Sequence, residues 1–172
     1  MSSVIPWDKL QEGINLTLQN VHSLMEAADF LYKNEKYMVS ACLSVFAFEE
    51  MTKVELLVNH YKSKADLPLS RWKTMTKDRN AHLTKIRDFL SKEKIMHVDM
   101  TGKGIVHEKQ YLVEILANFY HAVKTHVFYV NWKGNTWRWF PKEYPVNLQK
   151  NIATSFLVTA RRRLVELSAP NQ

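Results

Sequence analysis

The run 37–62, YMVSACLSVFAFEEMTKVELLVNHYK, constrains this chain more than any other stretch. Its first twelve residues carry no charge, and apolar side chains return on every side of a helical wheel. A helix that is apolar all round must be covered by other elements. Yet Glu49, Glu50 and Lys53 follow at its centre. Burying an ionised carboxylate without partners is expensive, so such groups are normally paired or functional. Glu49 reaches Lys53 at i,i+4, and Glu50 reaches it at i,i+3. One lysine facing two carboxylates leaves a surplus of negative charge, which calls for a cation from another segment.

Residues 79–85, RNAHLTK, can supply it. Arg79, His82 and Lys85 recur at steps of three and share one helical face. Histidine both takes and gives a proton near neutrality, so His82 is the candidate general acid/base. Arg79 and Lys85 are the candidate phosphate holders. Two plainer readings compete with a site. Glu49, Glu50 and Lys53 can form a helix ion pair with one acid in solvent, and the basic residues can form a solvated stripe.

The rest of the pattern is mostly helical. A first helix, N-capped by Asp8, is expected to run to about Lys33, with Leu10, Ile14, Leu18, Val21, Leu24 and Ala28 on its apolar face. The second runs to about Lys62. Residues 67–70 break the chain, and Ser70 is the expected cap of a third helix ending near Lys94. A fourth spans roughly 107–126. The period then changes: 127–132 and 136–140 are aromatic and β-branched, separated by Lys133, Gly134 and Asn135, which reads as a hairpin. A last helix is expected over about 146–167. The expectation is one helical domain, 1–172, all-α, with about five helices and a small β-hairpin near 127–140.

Composition narrows the class of partner. There are 24 Lys and Arg against 17 Asp and Glu, a formal charge of +7, which suits an anionic partner such as nucleic acid. Cys42 is the only cysteine, so no intrachain disulfide can form, and its apolar setting reads as a small buried hydrophobe. The N-terminus lacks the plan of a signal peptide, and no apolar run reaches the ~20 residues of a membrane helix. A cytoplasmic protein without membrane contact is expected. The sequence has no phosphate-binding glycine loop, no Cys/His zinc spacing and no H-E-x-x-H. No metal ligands and no cofactor are therefore assigned. The aromatic hairpin and the triplet Arg161, Arg162 and Arg163 could meet nucleic acid, or could simply pack and be solvated.

Three blocks in order give the chain a family likeness. The run 41–53, ACLSVFAFEEMTK, ends in E-E-x-x-K. Residues 82–85 form H-x-x-K, and 128–131, FYVN, precede Gly134, Trp137 and Pro141. Together they resemble the AbiV family of abortive-infection proteins, among the HEPN-like helical domains. The resemblance implies a HEPN-like bundle, homodimerisation and a role in bacterial defence against phage. Many HEPN relatives are metal-independent ribonucleases with an Arg-x4–6-His motif. Here no arginine precedes a histidine at that spacing; Lys77 stands before His82 instead, without arginine's bidentate fork. Asn131 stands where the family usually has an acid.

The expected function is that of an anti-phage effector. Its catalytic group would be Glu49, Glu50, Lys53, His82 and Lys85, with Arg79, Tyr129 and Asn131 binding substrate. RNA is the expected substrate and a phage protein the expected trigger. The alternative is a non-catalytic interaction module that binds a phage or host protein. A nucleotide-binding helical domain is a third reading.

Overall fold

The computed structural model describes residues 3–77, 81–92, 109–127, 130–133, 136–139 and 144–168. The described residues form six helices and two small antiparallel sheets. In chain order these are β1 (Val4–Ile5), α1 (Trp7–Lys33), α2 (Tyr37–Lys62), β2 (Leu67–Pro68), α3 (Leu69–Lys77), α4 (Ala81–Lys92), α5 (Lys109–His126), β3 (Val130–Lys133), β4 (Thr136–Trp139) and α6 (Val146–Ser168). The all-α expectation holds, with a small hairpin where the period changed. No described helix is long and apolar enough to cross a membrane.

The uncharged stretch of α2 explains the architecture. Tyr37, Met38, Ala41, Cys42, Val45, Phe48 and Met51 are all buried, and α2 packs against α1, α4, α5 and α6. Phe48 is the hub. Its ring stacks on Phe89 of α4 at 4.3 Å and on Tyr120 of α5 at 5.6 Å, and tilts against Phe156 of α6 at 6.2 Å. Burying such rings is among the larger contributions a helical core receives. A second cluster of Leu10, Ile14, Val54, Leu56, Leu57 and Leu67 joins α1, the far end of α2 and β2.

Helix ends follow from local hydrogen bonding. After α1, Glu35 turns left-handed at φ 61°. Glu35 N then donates to Tyr32 O, and Lys36 N donates to Leu31 O. Lys64, at φ 51°, closes α2 the same way, with Lys64 N donating to Tyr61 O and Ala65 N to His60 O. These are Schellman turns built without glycine.

Three local expectations are corrected. Asp8 does not cap α1: Pro6 is the cap, without a side-chain bond, and Asp8 lies in the first turn, where its charge suits the helix dipole. The start of α1 is tied elsewhere, since Trp7 N donates to Asp66 Oδ1 and Trp7 Nε1 to Tyr61 O, both at 2.8 Å. Ser70 lies inside α3 rather than before it, because Leu67 and Pro68 form β2 against Ile5 and Val4. The stretch expected as one helix to Lys94 holds α3 and α4, and residues 78–80 and 93–94 of it lie outside the described residues. In the hairpin, Lys133 pairs with Thr136, so it belongs to β3 and not to the joint.

Candidate functional site: a buried carboxylate held by three basic side chains

Each buried member of the site is one charged residue set in or beside an apolar helix face. On α2, Glu49 sits between Phe48 and Met51 and is 3% exposed. On α4, the face Ala81, Lys85, Phe89 repeats at i, i+4, i+8, and Ile86 and Leu90 widen it. Lys85 therefore occupies a core position and is 2% exposed. On α5, Val113, Ala117, Tyr120 and Val123 form the packed stripe, continued by Val127 just past the helix, and Lys124 stands beside Val123, one turn after Tyr120.

The three helices bring these groups together on one carboxylate. Lys124 Nζ donates to Glu49 Oε1 at 2.6 Å. Lys85 Nζ lies 3.2 Å from Glu49 Oε2, and His82 Nδ1 lies 2.6 Å from the same oxygen. Lys124 Nζ also lies 2.6 Å from His82 Nδ1, and sits 4.7 Å from the Phe46 ring centre. Thr52 Oγ1 donates to Phe48 O and, at 3.3 Å, to Lys85 O, which ties α2 to α4 beside the cluster.

Burial differs sharply within the group. The Glu49, Lys85 and Lys124 side chains are 4%, 3% and 9% exposed, whereas His82 is 48% exposed. The network under the surface thus ends in an imidazole at the surface. Burial tends to raise the Glu49 pKa, but hydrogen bonds from Lys124 and His82, with the charges of Lys124 and Lys85, outweigh it and hold the carboxyl below its ordinary value. Burial dominates at Lys85 and pushes its pKa down, against the pull of Glu49. Neighbouring Cys42 donates weakly to Lys124 O, and burial pushes its thiol up to about 12. That setting matches a packed hydrophobe and not a reactive thiol.

Glu50 and Lys53 pair with each other at 2.5 Å, both about one-sixth exposed, and lie outside the hydrogen bonds to Glu49. The expected pairing of Lys53 with both acids is therefore not what forms. Glu49 turns away to α4 and α5, and the structure joins it to His82 and Lys85 as the charge surplus implied. Asn131 is placed in β3, in register with Arg138. Arg79 and Tyr129 lie outside the described residues.

Lys124 is the member that sequence reasoning missed. Its signal was faint: Lys124 stands beside Val123 at the edge of an apolar face that is already complete without it. The arginine triplet is largely accounted for inside the molecule. Arg161 pairs with Asp29 of α1, and Arg163 pairs with Glu55 of α2 and with Glu166. Among the described residues, no group of three His, Cys, Asp or Glu side chains is placed to hold a metal ion.

Neither the curated proteins nor the solved structures contain a match to the chain. The family model HEPN_AbiV, described as AbiV, matches residues 9–164. That span contains Glu49, His82, Lys85 and Lys124 as well as the hairpin. The chain belongs to the AbiV family.

Proposed function

We propose that this chain is an abortive-infection effector acting against phage inside the bacterial cell, and that the cluster on Glu49 is its functional centre. Membership of the AbiV family supports the first part. The second rests on one observation: a buried Glu–Lys–Lys network that terminates in a half-exposed imidazole. Structural ion pairs need no such exposed end. Perturbed carboxylates and lysines gathered at one accessible histidine are a common form of functional site.

RNA is the substrate class this reading favours. Glu49 and Lys124 fix the ring by its Nδ1 edge, and the accessible part of His82 moves the proton. Two ammonium groups against the Glu49 carboxylate leave positive charge to attract a phosphate. Lys85 acts here through Glu49, since it is too buried to meet a phosphate itself. A homodimer would enlarge the surface offered to RNA.

A second reading is favoured by the depth of the cluster. With Glu49 and Lys85 nearly inaccessible, the network can serve to fix α4 and α5 on α2, and the chain can act by binding a phage or host protein. Purified protein incubated with labelled RNA, with and without a chelator, separates the two. The RNA reading expects cleavage or binding that is lost in His82→Ala and weakens steeply with salt as counterions are released. Intact, unbound RNA at low salt, with phage protection retained by the same chain in cells, favours the interaction module.

A further inference from the structure

We infer that Lys124 is a positioning residue that selects the tautomer of His82: it donates to Nδ1, sends the ring proton to Nε2, and so makes the exposed side of the ring an N–H donor. The inference takes the cluster on Glu49 as the working site, and it adds which atom faces an incoming ligand and what that atom offers.

Two neighbours make opposite demands on one nitrogen. Nδ1 has a single in-plane position, either a proton or a lone pair. Glu49 Oε2, at 2.6 Å, can only accept, and wants Nδ1–H. Lys124 Nζ, also at 2.6 Å, can only donate, and wants a bare Nδ1. Both cannot be met at once.

Counting donors decides between them. Two ammonium groups bring about six N–H donors against about four lone-pair sites on one carboxylate. Lys124 and Lys85 already place a donor on each oxygen of Glu49. Acceptors are the scarce partner in this buried space, and unmet buried donors are costly. A protonated Nδ1 would add one more donor. A bare Nδ1 adds an acceptor and takes a Lys124 hydrogen. The ring then carries its proton on Nε2, where it can donate to an anionic oxygen, the chemistry of a phosphate diester. The opposite tautomer would present a lone pair, which repels that oxygen.

Nitrogen-15 NMR of the ring reads this directly, because protonated and bare ring nitrogens resonate far apart. The His82 signals are assigned by their disappearance in His82→Gln, and spectra are taken at a pH where the ring carries one proton. The full-length chain is expected to show Nε2–H with bare Nδ1. Lys124→Met is expected to reverse this, with Nδ1–H donating to Glu49. A wild-type ring protonated at Nδ1 overturns the inference without any variant, even if Lys124→Met fails to fold. A folded Lys124→Met that keeps Nε2–H overturns it as well. Phage protection is not read in this experiment, so a tautomer that behaves as inferred, in a chain whose His82→Ala variant still protects, removes the functional reading and leaves this one standing.

Discussion

His82 Nδ1 of α4 lies 2.6 Å from Glu49 Oε2 of α2, across 33 positions of sequence, and this contact turns a buried ion cluster into one that reaches the surface. The other side chains on that carboxylate, Lys85 and Lys124, stay below the surface. The consequences for stability and for activity can therefore be separated by choosing which partner to remove.

Removing the carboxylate should hurt most. Glu49→Ala leaves the Lys85 and Lys124 ammonium groups without their shared counter-charge, and breaking a buried pair this way costs about 3–5 kcal/mol. Lys85→Met should cost clearly less, because Glu49 keeps Lys124. Urea denaturation of the two variants gives the order. A Lys85→Met chain less stable than Glu49→Ala would contradict the assigned geometry.

The two buried groups also fix the pH dependence. The folded-state pKa of Glu49 lies below the ordinary 4.5, so its contribution is present above pH 4.5 and is lost as pH falls through the folded value. Glu49→Gln should flatten that acid limb while lowering stability at neutral pH. Lys85 is depressed from 10.5, so the unfolded chain binds the extra proton and stability rises with pH between the folded value and 10.5. Lys85→Met should remove that alkaline rise. Stability measured against pH, with the same acid limb in wild type and Glu49→Gln, would oppose this assignment.

The arginine triplet gives a test of burial against count. Arg163 donates to Glu55 through Nε at 2.9 Å and through Nη2, and its side chain is 17% exposed. Arg161 meets Asp29 but is 56% exposed. Arg163→Ala should cost on the order of 3 kcal/mol, since it removes a guanidinium that places two donors on the buried Glu55 carboxylate. Arg161→Ala should cost about 0–1 kcal/mol, as exposed pairs do. Thermal unfolding curves of equal midpoint for the two variants would refute the distinction.

Cys42 should be silent in the folded chain. It is fully buried, and its thiol is pushed up to about 12. A thiol-directed reagent at neutral pH should label it only after denaturant is added. Labelling of the native chain at the rate of a free thiol would show that α2 and α5 do not pack as described.

Much of this was legible from residues alone, and the misses have physical causes. The ends of α1 and α2 at Lys33 and Lys62 follow from apolar periodicity and polar joints. The charge surplus on α2 pointed correctly to His82 and Lys85. What periodicity could not give was the direction of each charge. Glu49 and Glu50 are adjacent, so one faces the core while the other turns to Lys53, and neither spacing rule chooses between them. Lys124 is a single charge at the edge of an apolar face whose place Val123 already fills, so spacing alone does not single it out. Asp8 and Ser70 looked like caps because their side chains suit that role. Tertiary ties, from Asp66 to Trp7 and from Ile5 to Leu67, placed the helix starts elsewhere.

The central claim is that the exposed imidazole over Glu49 is where the chain acts. The most direct measurement is phage plating on cells that express His82→Ala, alongside thermal unfolding of the purified variant. His82 is half exposed and Glu49 keeps both lysines without it, so the account predicts an unfolding midpoint close to wild type and a loss of protection. A folded His82→Ala chain that protects as well as wild type would contradict it.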